Sequence, residues 1–109
     1  MKFFLAIDQG THASRACLFD GTGELVCKHT KDIRLSRHSS SNVEQDANEI
    51  VNSVKEVITK TLSQTGDADA IMACGIATQR SSAVAWLNDG TAVSPVLSWQ
   101  DTRGEQQLE

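Results

Sequence analysis

The sequence predicts an α/β domain on a mixed sheet: three antiparallel strands, a crossover helix, then a strand parallel to the first. Three observations carry that prediction. Two short apolar runs, residues 3–7 and 15–19, flank a linker that holds an acid, a glycine and several hydroxyls. Apolar residues recur at helical spacing between Asp46 and Gly66. A continuous apolar run, residues 70–77, then follows, the pattern of a strand covered on both faces.

The first two runs read as a hairpin. Its linker contains Asp8, Gln9, Gly10, Thr11, His12 and Ser14, and no proline. An acid at a strand end suits a hydrated metal ion. A glycine lets backbone approach a phosphate, and neighbouring amides and hydroxyls can donate to its oxygens. The same residues also suit a tight turn, with Asp8 capping its own backbone and Gly10 at positive φ. No Gly-x-x-x-x-Gly-Lys-Ser/Thr pattern occurs, so a helix-based phosphate loop is excluded.

Asp20-Gly21-Thr22-Gly23 turns the chain, and residues 24–33 alternate as a third antiparallel strand. Cys27 and His29 on that strand have no companion ligands and read as structural. Residues 36–42 form a polar loop. Asp46 starts the helix, three residues before Glu49, at capping-box spacing. Ile50, Val51, Val54, Val57, Ile58 and Leu62 make its apolar face, and Gly66 with Asp67 ends it. Residues 83–87 read as a further strand with Trp86 in the core. Asn88-Asp89-Gly90 turns it, Pro95 breaks the return, and residues 96–99 are extended. Residues 101–107 look like the start of a helix at which the chain stops, so the domain reads as incomplete. Leu108 and Glu109 fit a vector-derived scar as well as two natural residues.

The chain has 109 residues, 39% of them hydrophobic, and a net charge of −4. That is one small domain without the basic stripe a nucleic-acid binder needs. No apolar run approaches the roughly 20 residues of a membrane span. Residues 3–7 are too short for a signal-peptide core of ~7–15 residues. The three cysteines, Cys17, Cys27 and Cys74, match no metal spacing. Cys17 and Cys74 lie in apolar runs, which predicts reduced, core-packed thiols and a cytoplasmic setting.

The element order is that of ribonuclease-H-like domains, actin-like ATPases and sugar kinases. Four segments narrow this. Residues 7–11 with Ser14-Arg15-Ala16 and Leu18-Phe19-Asp20 resemble the phosphate hairpin of the FGGY carbohydrate kinases. Val43-Glu44-Gln45-Asp46 resembles that family's segment before its first helix. Gly75-Ile76-Ala77-Thr78-Gln79-Arg80 and Trp99-Gln100-Asp101-Thr102-Arg103 resemble its two sugar-facing segments, most like those of the glycerol-kinase branch. Residues 1–109 then correspond to the N-terminal part of the family's first domain.

The resemblance implies an ATP-dependent kinase that phosphorylates a hydroxyl of a polyol or small sugar, with ATP and Mg²⁺ as cofactors. Asp8 would face the metal, a role open to one carboxylate because Mg²⁺ keeps most of its water. Gln9, Gly10, Thr11, His12, Ser14 and Arg15 would line the phosphates. Arg80, Ser81 and Trp99 would face the acceptor. The family's catalytic aspartate lies downstream, so the resemblance assigns no catalytic residue here and implies an inactive fragment. His12 departs from the small hydroxyl residue of the glycerol-kinase branch. Ser81 stands where that branch has a glutamate, which puts glycerol itself in doubt. A structural or chaperone ATPase of the actin-like group, or an inactive truncated interaction module, are the alternatives. A homo-oligomer is expected, with no nucleic-acid or membrane partner.

Overall fold

The strand β1 (Phe3–Gln9) alternates strictly, with Phe3, Leu5, Ile7 and Gln9 buried and the residues between them exposed. This is the period-two signature of a strand with one covered face. The computed structural model describes residues 1–108. β1 runs antiparallel to β2 (Ala13–Asp20), with Ile7 opposite Ala16 and Asp8 opposite Arg15. β2 runs antiparallel to β3 (Leu25–Asp32). In the turn between β2 and β3, Asp20 accepts from Thr22 and Glu24 amides, and Gly23 takes a φ of 89°. These bonds, the Thr22 hydroxyl first, hold the Asp20 carboxyl below its ordinary range.

Two short strands follow, β4 (Ser36–Arg37) and β5 (Val43–Gln45), paired antiparallel. The expected polar loop is therefore partly ordered into a ribbon. The helix α1 (Ala47–Thr65) begins at Asp46, whose carboxylate accepts from the Asn48 and Glu49 amides. Glu49 does not reach back to close a capping box. It accepts from the backbone and guanidinium of Arg34. Gly66 ends the helix at φ 66°, the left-handed cap that glycine adopts without strain. β6 (Ile71–Thr78) then returns parallel to β1, with Ile7 beside Ile76 and Gln9 beside Thr78. The four-stranded order is β3-β2-β1-β6, which bears out three antiparallel strands followed by a parallel one, but β6 lies at the edge of the sheet where the sequence suggests a central strand.

Leu5, Ile7, Ala16 and Val57 form the core, with Val54, Ile58 and Ile71 packed against it. Fully burying a leucine, isoleucine or valine side chain contributes about 1.5–3 kcal/mol. The buried stripe of α1 is Ser53, Val57 and Thr61, rotated from the purely apolar face that the sequence suggests. Val51 is left half exposed. Two hydroxyls sit in the stripe because each has a partner: Ser53 meets Ser14, and Thr61 meets His29.

Several expectations are corrected. β6 does not lie buried on both faces; residues 72–78 are exposed, because α1 packs chiefly over β2 and β3 and leaves this edge uncovered. Cys74 is exposed with it, and Cys17 is half-buried, so neither is a core thiol. Residues 83–87 form no strand, only isolated bridges, Ala83 with Leu97 and Trp86 with Ala92. Trp86 is 66% exposed instead of core-packed. The extended segment at 96–99 is reduced to β7 (Val96–Leu97), which joins β5 in a second sheet of order β4-β5-β7. In place of a helix starting at 101, only Glu105–Gln107 forms a 3-10 turn.

Candidate functional site

The site is built where β1, β5 and β6 end together. Each of these ends carries a glutamine: Gln9 closes β1, Gln45 closes β5, and Gln79 follows β6. The backbone N–H of Gln79 donates to the Gln9 carbonyl at 2.7 Å, extending the parallel ladder by one residue. Its side-chain amide donates to Gln9 Oε1 at 3.2 Å and to Gln45 Oε1 at 3.1 Å. Gln45 Nε2 in turn donates to the Thr11 carbonyl at 2.7 Å. Gln9 Nε2 donates to the Gly10 carbonyl at 2.8 Å. Three interlocked amides thus hold the hairpin tip against the strand ends.

At the tip, the Gly10 N–H donates to the Ala13 carbonyl at 2.8 Å. A Cβ on Gly10 would lie 3.2 Å from that same carbonyl oxygen. Gly10 is not among the positive-φ glycines, so closeness, not handedness, selects glycine here. The turn-cap alternative also lacks its bond: Asp8 accepts from the Arg15 guanidinium at 3.2 Å, across the strand pair. The Asp8 and Arg15 side chains are both well exposed, on the face away from α1. His12 is exposed at the tip.

Ser14 takes a different place from the other hairpin hydroxyls. It is fully buried, and its Oγ lies 2.8 Å from that of Ser53. Its side chain braces the hairpin from beneath instead of facing outward. Gln9 is likewise buried, at 7% exposure. The remaining expected phosphate residues, Asp8, Gly10, Thr11, His12 and Arg15, lie at the tip and along its open face.

Opposite the tip, a cleft of about 500 Å³ is lined by Thr11, Gln79, Arg80, Ser81 and Trp99. It therefore brings all three expected acceptor residues together with one hairpin residue. Ser81 is the only described non-glycine residue at positive φ, 64°. Non-glycine residues in that region cluster at functional sites. Ser82 Oγ donates to Gln79 Oε1 at 2.9 Å and accepts the Trp99 backbone N–H at 3.0 Å. The Trp99 indole N–H donates to Thr11 Oγ1 at 2.8 Å.

The segment carrying Trp99 is fixed from behind. Asp101 accepts from the Val43 amide at 2.8 Å and from the Arg103 guanidinium, which also reaches Glu44 at 2.6 Å. The Arg103 guanidinium is the main reason the Asp101 carboxyl is held down, at about 2. Arg103 itself is pushed further up, chiefly by Asp101 and then by Glu44.

Sequence reasoning singles out Arg80, Ser81 and Trp99, which line one cleft, but misses Gln45, Gln79 and Ser82 as the frame around them. One signal was available. Gln9 falls in phase with Phe3, Leu5 and Ile7, and a polar residue on a buried phase needs partners.

The donors at the tip fit a magnesium ion. Asp8 offers one hard carboxylate at an exposed strand end, and magnesium takes one or two carboxylates with phosphate and water completing its shell. Among the described residues no three His, Cys, Asp or Glu side chains converge as a transition-metal site would require.

A mixed sheet with a glycine-bearing hairpin at the carboxyl end of its first strand and a cleft beside it defines the class: part of a domain with the actin-like ATPase fold. The chain belongs to the FGGY family of carbohydrate kinases, whose N-terminal domain matches residues 3–109. It is 40% identical over 108 residues to a glycerol kinase of Acinetobacter baylyi, covering 97% of this chain and 22% of that protein. It is 42% identical over 101 residues to a glycerol kinase of Halalkalibacterium halodurans, covering 91% and 20%. A ligand-bound xylulose kinase from Lactobacillus acidophilus superposes with a TM-score of 0.87 at 25% identity, covering 98% of this chain and 21% of that one. A Plasmodium falciparum glycerol kinase with ADP shares the fold at a TM-score of 0.87 and 21% identity, covering 98% and 22%. The chain thus spans about a fifth of the length of these relatives.

Proposed function

We propose that this chain supplies the phosphate hairpin and one acceptor wall of an ATP-dependent kinase that phosphorylates a hydroxyl of a polyol or small sugar. The carrying observation is the shared cleft, in which Thr11 of the hairpin lies with Arg80, Ser81 and Trp99. Phosphoryl transfer is mostly positioning and charge stabilisation, and it needs donor and acceptor in line. A hairpin residue and the expected acceptor residues sharing one cleft support that reading.

Asp8 would hold Mg²⁺. Gly10, Thr11 and His12 would line the β- and γ-phosphates, and Arg15 would add positive charge beside them. Gln9 and Ser14 act from beneath, fixing the tip. Bound magnesium would neutralise charge on the phosphates. Arg80 presents a planar fork of donors suited to adjacent hydroxyls. Trp99 offers an apolar face to the carbon side of the acceptor, and Ser81, short and uncharged, leaves room for an acceptor bulkier than glycerol.

The residues lining the cleft include no carboxylate. The family resemblance assigns the base that takes the acceptor proton to an aspartate outside residues 1–109. The chain by itself is therefore expected to release no phosphorylated product from ATP, Mg²⁺ and a polyol panel. The relatives it matches are carbohydrate kinases, which disfavours a structural or chaperone ATPase and an interaction module. A cytoplasmic setting and homo-oligomeric association belong to the same proposal. Among the described residues no helix is long and apolar enough to cross a membrane.

The test is a graft. Residues 1–107 replace the matching segment of the Acinetobacter baylyi glycerol kinase, and the hybrid is assayed with ATP and a panel of polyols and sugars. Transfer to one of them, preferring an acceptor bulkier than glycerol, is the expected result. A folded hybrid that transfers to none overturns the reading.

A further inference from the structure

We propose that Thr11 couples the two sides of the cleft, its hydroxyl oxygen fixing the Trp99 indole while its O–H remains available to a phosphate. The inference rests on the phosphate reading of the hairpin. A hydroxyl has one donor and two acceptor lone pairs. The Trp99 indole N–H uses one lone pair of Thr11 Oγ1, at 2.8 Å. Among the described residues the Thr11 O–H donates to no protein acceptor. Thr11 lines the cleft and is only half-buried, so an anion can reach that hydrogen.

Trp99 is held at two other points, one on its own backbone and one in the chain that follows. Its N–H donates to Ser82 Oγ at 3.0 Å, and the Asp101–Arg103 clamp secures the chain just beyond it. The residue is 52% exposed, and the only described polar bond of its side chain is to Thr11. Rotation of the indole is therefore restrained largely by one hydroxyl that belongs to the opposite side of the cleft.

Hydrogen bonds in a chain polarise one another. When Thr11 donates to a phosphate oxygen, its own oxygen gains electron density and accepts the indole N–H more strongly. A phosphate at the tip would then stiffen the acceptor wall. By reciprocity of binding free energies, an acceptor that seats Trp99 would favour phosphate at Thr11. Thr11 is a positioning residue for Trp99 as well as a phosphate contact. A serine keeps the hydroxyl and so the coupling; a valine keeps the shape and loses it.

The experiment is a titration of the ¹⁵N-labelled chain with Mg²⁺-pyrophosphate, followed by amide and indole cross-peaks. Trp86→Phe identifies the Trp99 indole signal. The expected result is that the amides of residues 10–12 and the Trp99 indole N–H shift with a common midpoint, the indole moving downfield. Thr11→Val should bind more weakly, yet at saturation still shift the amides of Gly10 and His12 while the indole stays still. Thr11→Ser should restore the indole shift. Amide shifts with a stationary indole in the unsubstituted chain overturn the coupling and leave the phosphate reading standing. An indole shift that survives Thr11→Val overturns the coupling as well. No shift of the tip amides at any pyrophosphate concentration overturns the phosphate reading, and the coupling falls with it.

Discussion

The hydroxyls of Ser14 and Ser53 lie 2.8 Å apart in the buried seam between β2 and α1. Ser53 also donates to the Ile50 carbonyl at 2.6 Å, which leaves its oxygen to accept from Ser14. Ser53→Ala therefore strands a buried donor, at a cost of roughly 1–3 kcal/mol. Removing both hydroxyls leaves neither of them unpaired, and Gln9 Nε2 loses only a long 3.5 Å contact with Ser14 Oγ while keeping the Gly10 carbonyl. The Ser14→Ala/Ser53→Ala double variant is expected to lose less stability than the two single losses summed. Urea unfolding of all four chains measures it, and strict additivity would mean that the two hydroxyls do not act as a pair.

Asp8→Ala in the grafted kinase is expected to lower kcat by on the order of 100-fold or more, with little change in acceptor KM. Charge placed at the transferring phosphate matters most in the transition state. The Asp8–Arg15 contact alone does not account for such a loss, because exposed ion pairs of this kind contribute about 0–1 kcal/mol. Steady-state kinetics separates the two, since a kcat near that of the unsubstituted hybrid would reduce Asp8 to a surface pair.

Ser81 sits at φ 64°. A side chain in that region costs about 1–2 kcal/mol, and glycine avoids it while giving back part through a freer unfolded chain. Ser81→Gly is expected to stabilise the chain by roughly 0.5–1 kcal/mol, read as a rise in the midpoint of thermal unfolding. Destabilisation by Ser81→Gly would show that the serine hydroxyl makes a stabilising contact that outweighs the strain.

Much of this architecture is legible in the sequence for a simple reason: it is carried by local pattern. The β1–β2 hairpin, the caps of α1 at Asp46 and Gly66, and the parallel return of β6 follow from apolar period and turn chemistry. Three features are not local. Ser53 and Thr61 enter the buried stripe because Ser14 and His29 wait across the seam. The Gln9–Gln45–Gln79 frame joins residues from three separate strand ends, and no spacing announces it. The exposure of β6 depends on where α1 comes to rest, which the apolar run of β6 does not encode. The same run that suggests a doubly covered strand marks surface left open here.

Asp101 gives a pH signature. Its folded value is about 2, against an ordinary 3.8, because it holds the Arg103 guanidinium and the Val43 amide. A depressed carboxylate stabilises the fold above its unfolded value, and that contribution disappears as pH falls through the folded value. The stability difference between the chain and Asp101→Asn should be constant above about pH 5 and shrink between roughly pH 4 and 2. Thermal unfolding at a series of pH values tests this, with both chains carrying Trp86→Phe so that Trp99 emission reports on the clamped segment. A difference that does not change across that window would remove the carboxylate from the clamp.

The two edges of the main sheet differ in a way that bears on association. Edge strand β3 carries Lys28, Lys31 and Asp32, charges of the kind that discourage edge-to-edge pairing. Edge strand β6 carries neither charge nor proline along its eight residues. Met72 and Ile76 are 52% and 68% exposed. Ile76 lies beside buried Ile7 in register, yet α1 does not extend over it. Apolar surface in water costs about 25 cal/mol per Å², so a few hundred Å² covered would favour pairing by several kcal/mol before association entropy is subtracted. The net charge of −4 opposes this only weakly at physiological salt. The isolated chain is therefore expected to self-associate through β6, and Ile76→Lys to shift it towards monomer by placing a charge on that edge. Sedimentation velocity across a dilution series follows both chains. A monomer at every concentration would mean that the exposed backbone of β6 is too short or too twisted to pair, and equal association of the Ile76→Lys variant would move the contact to another surface.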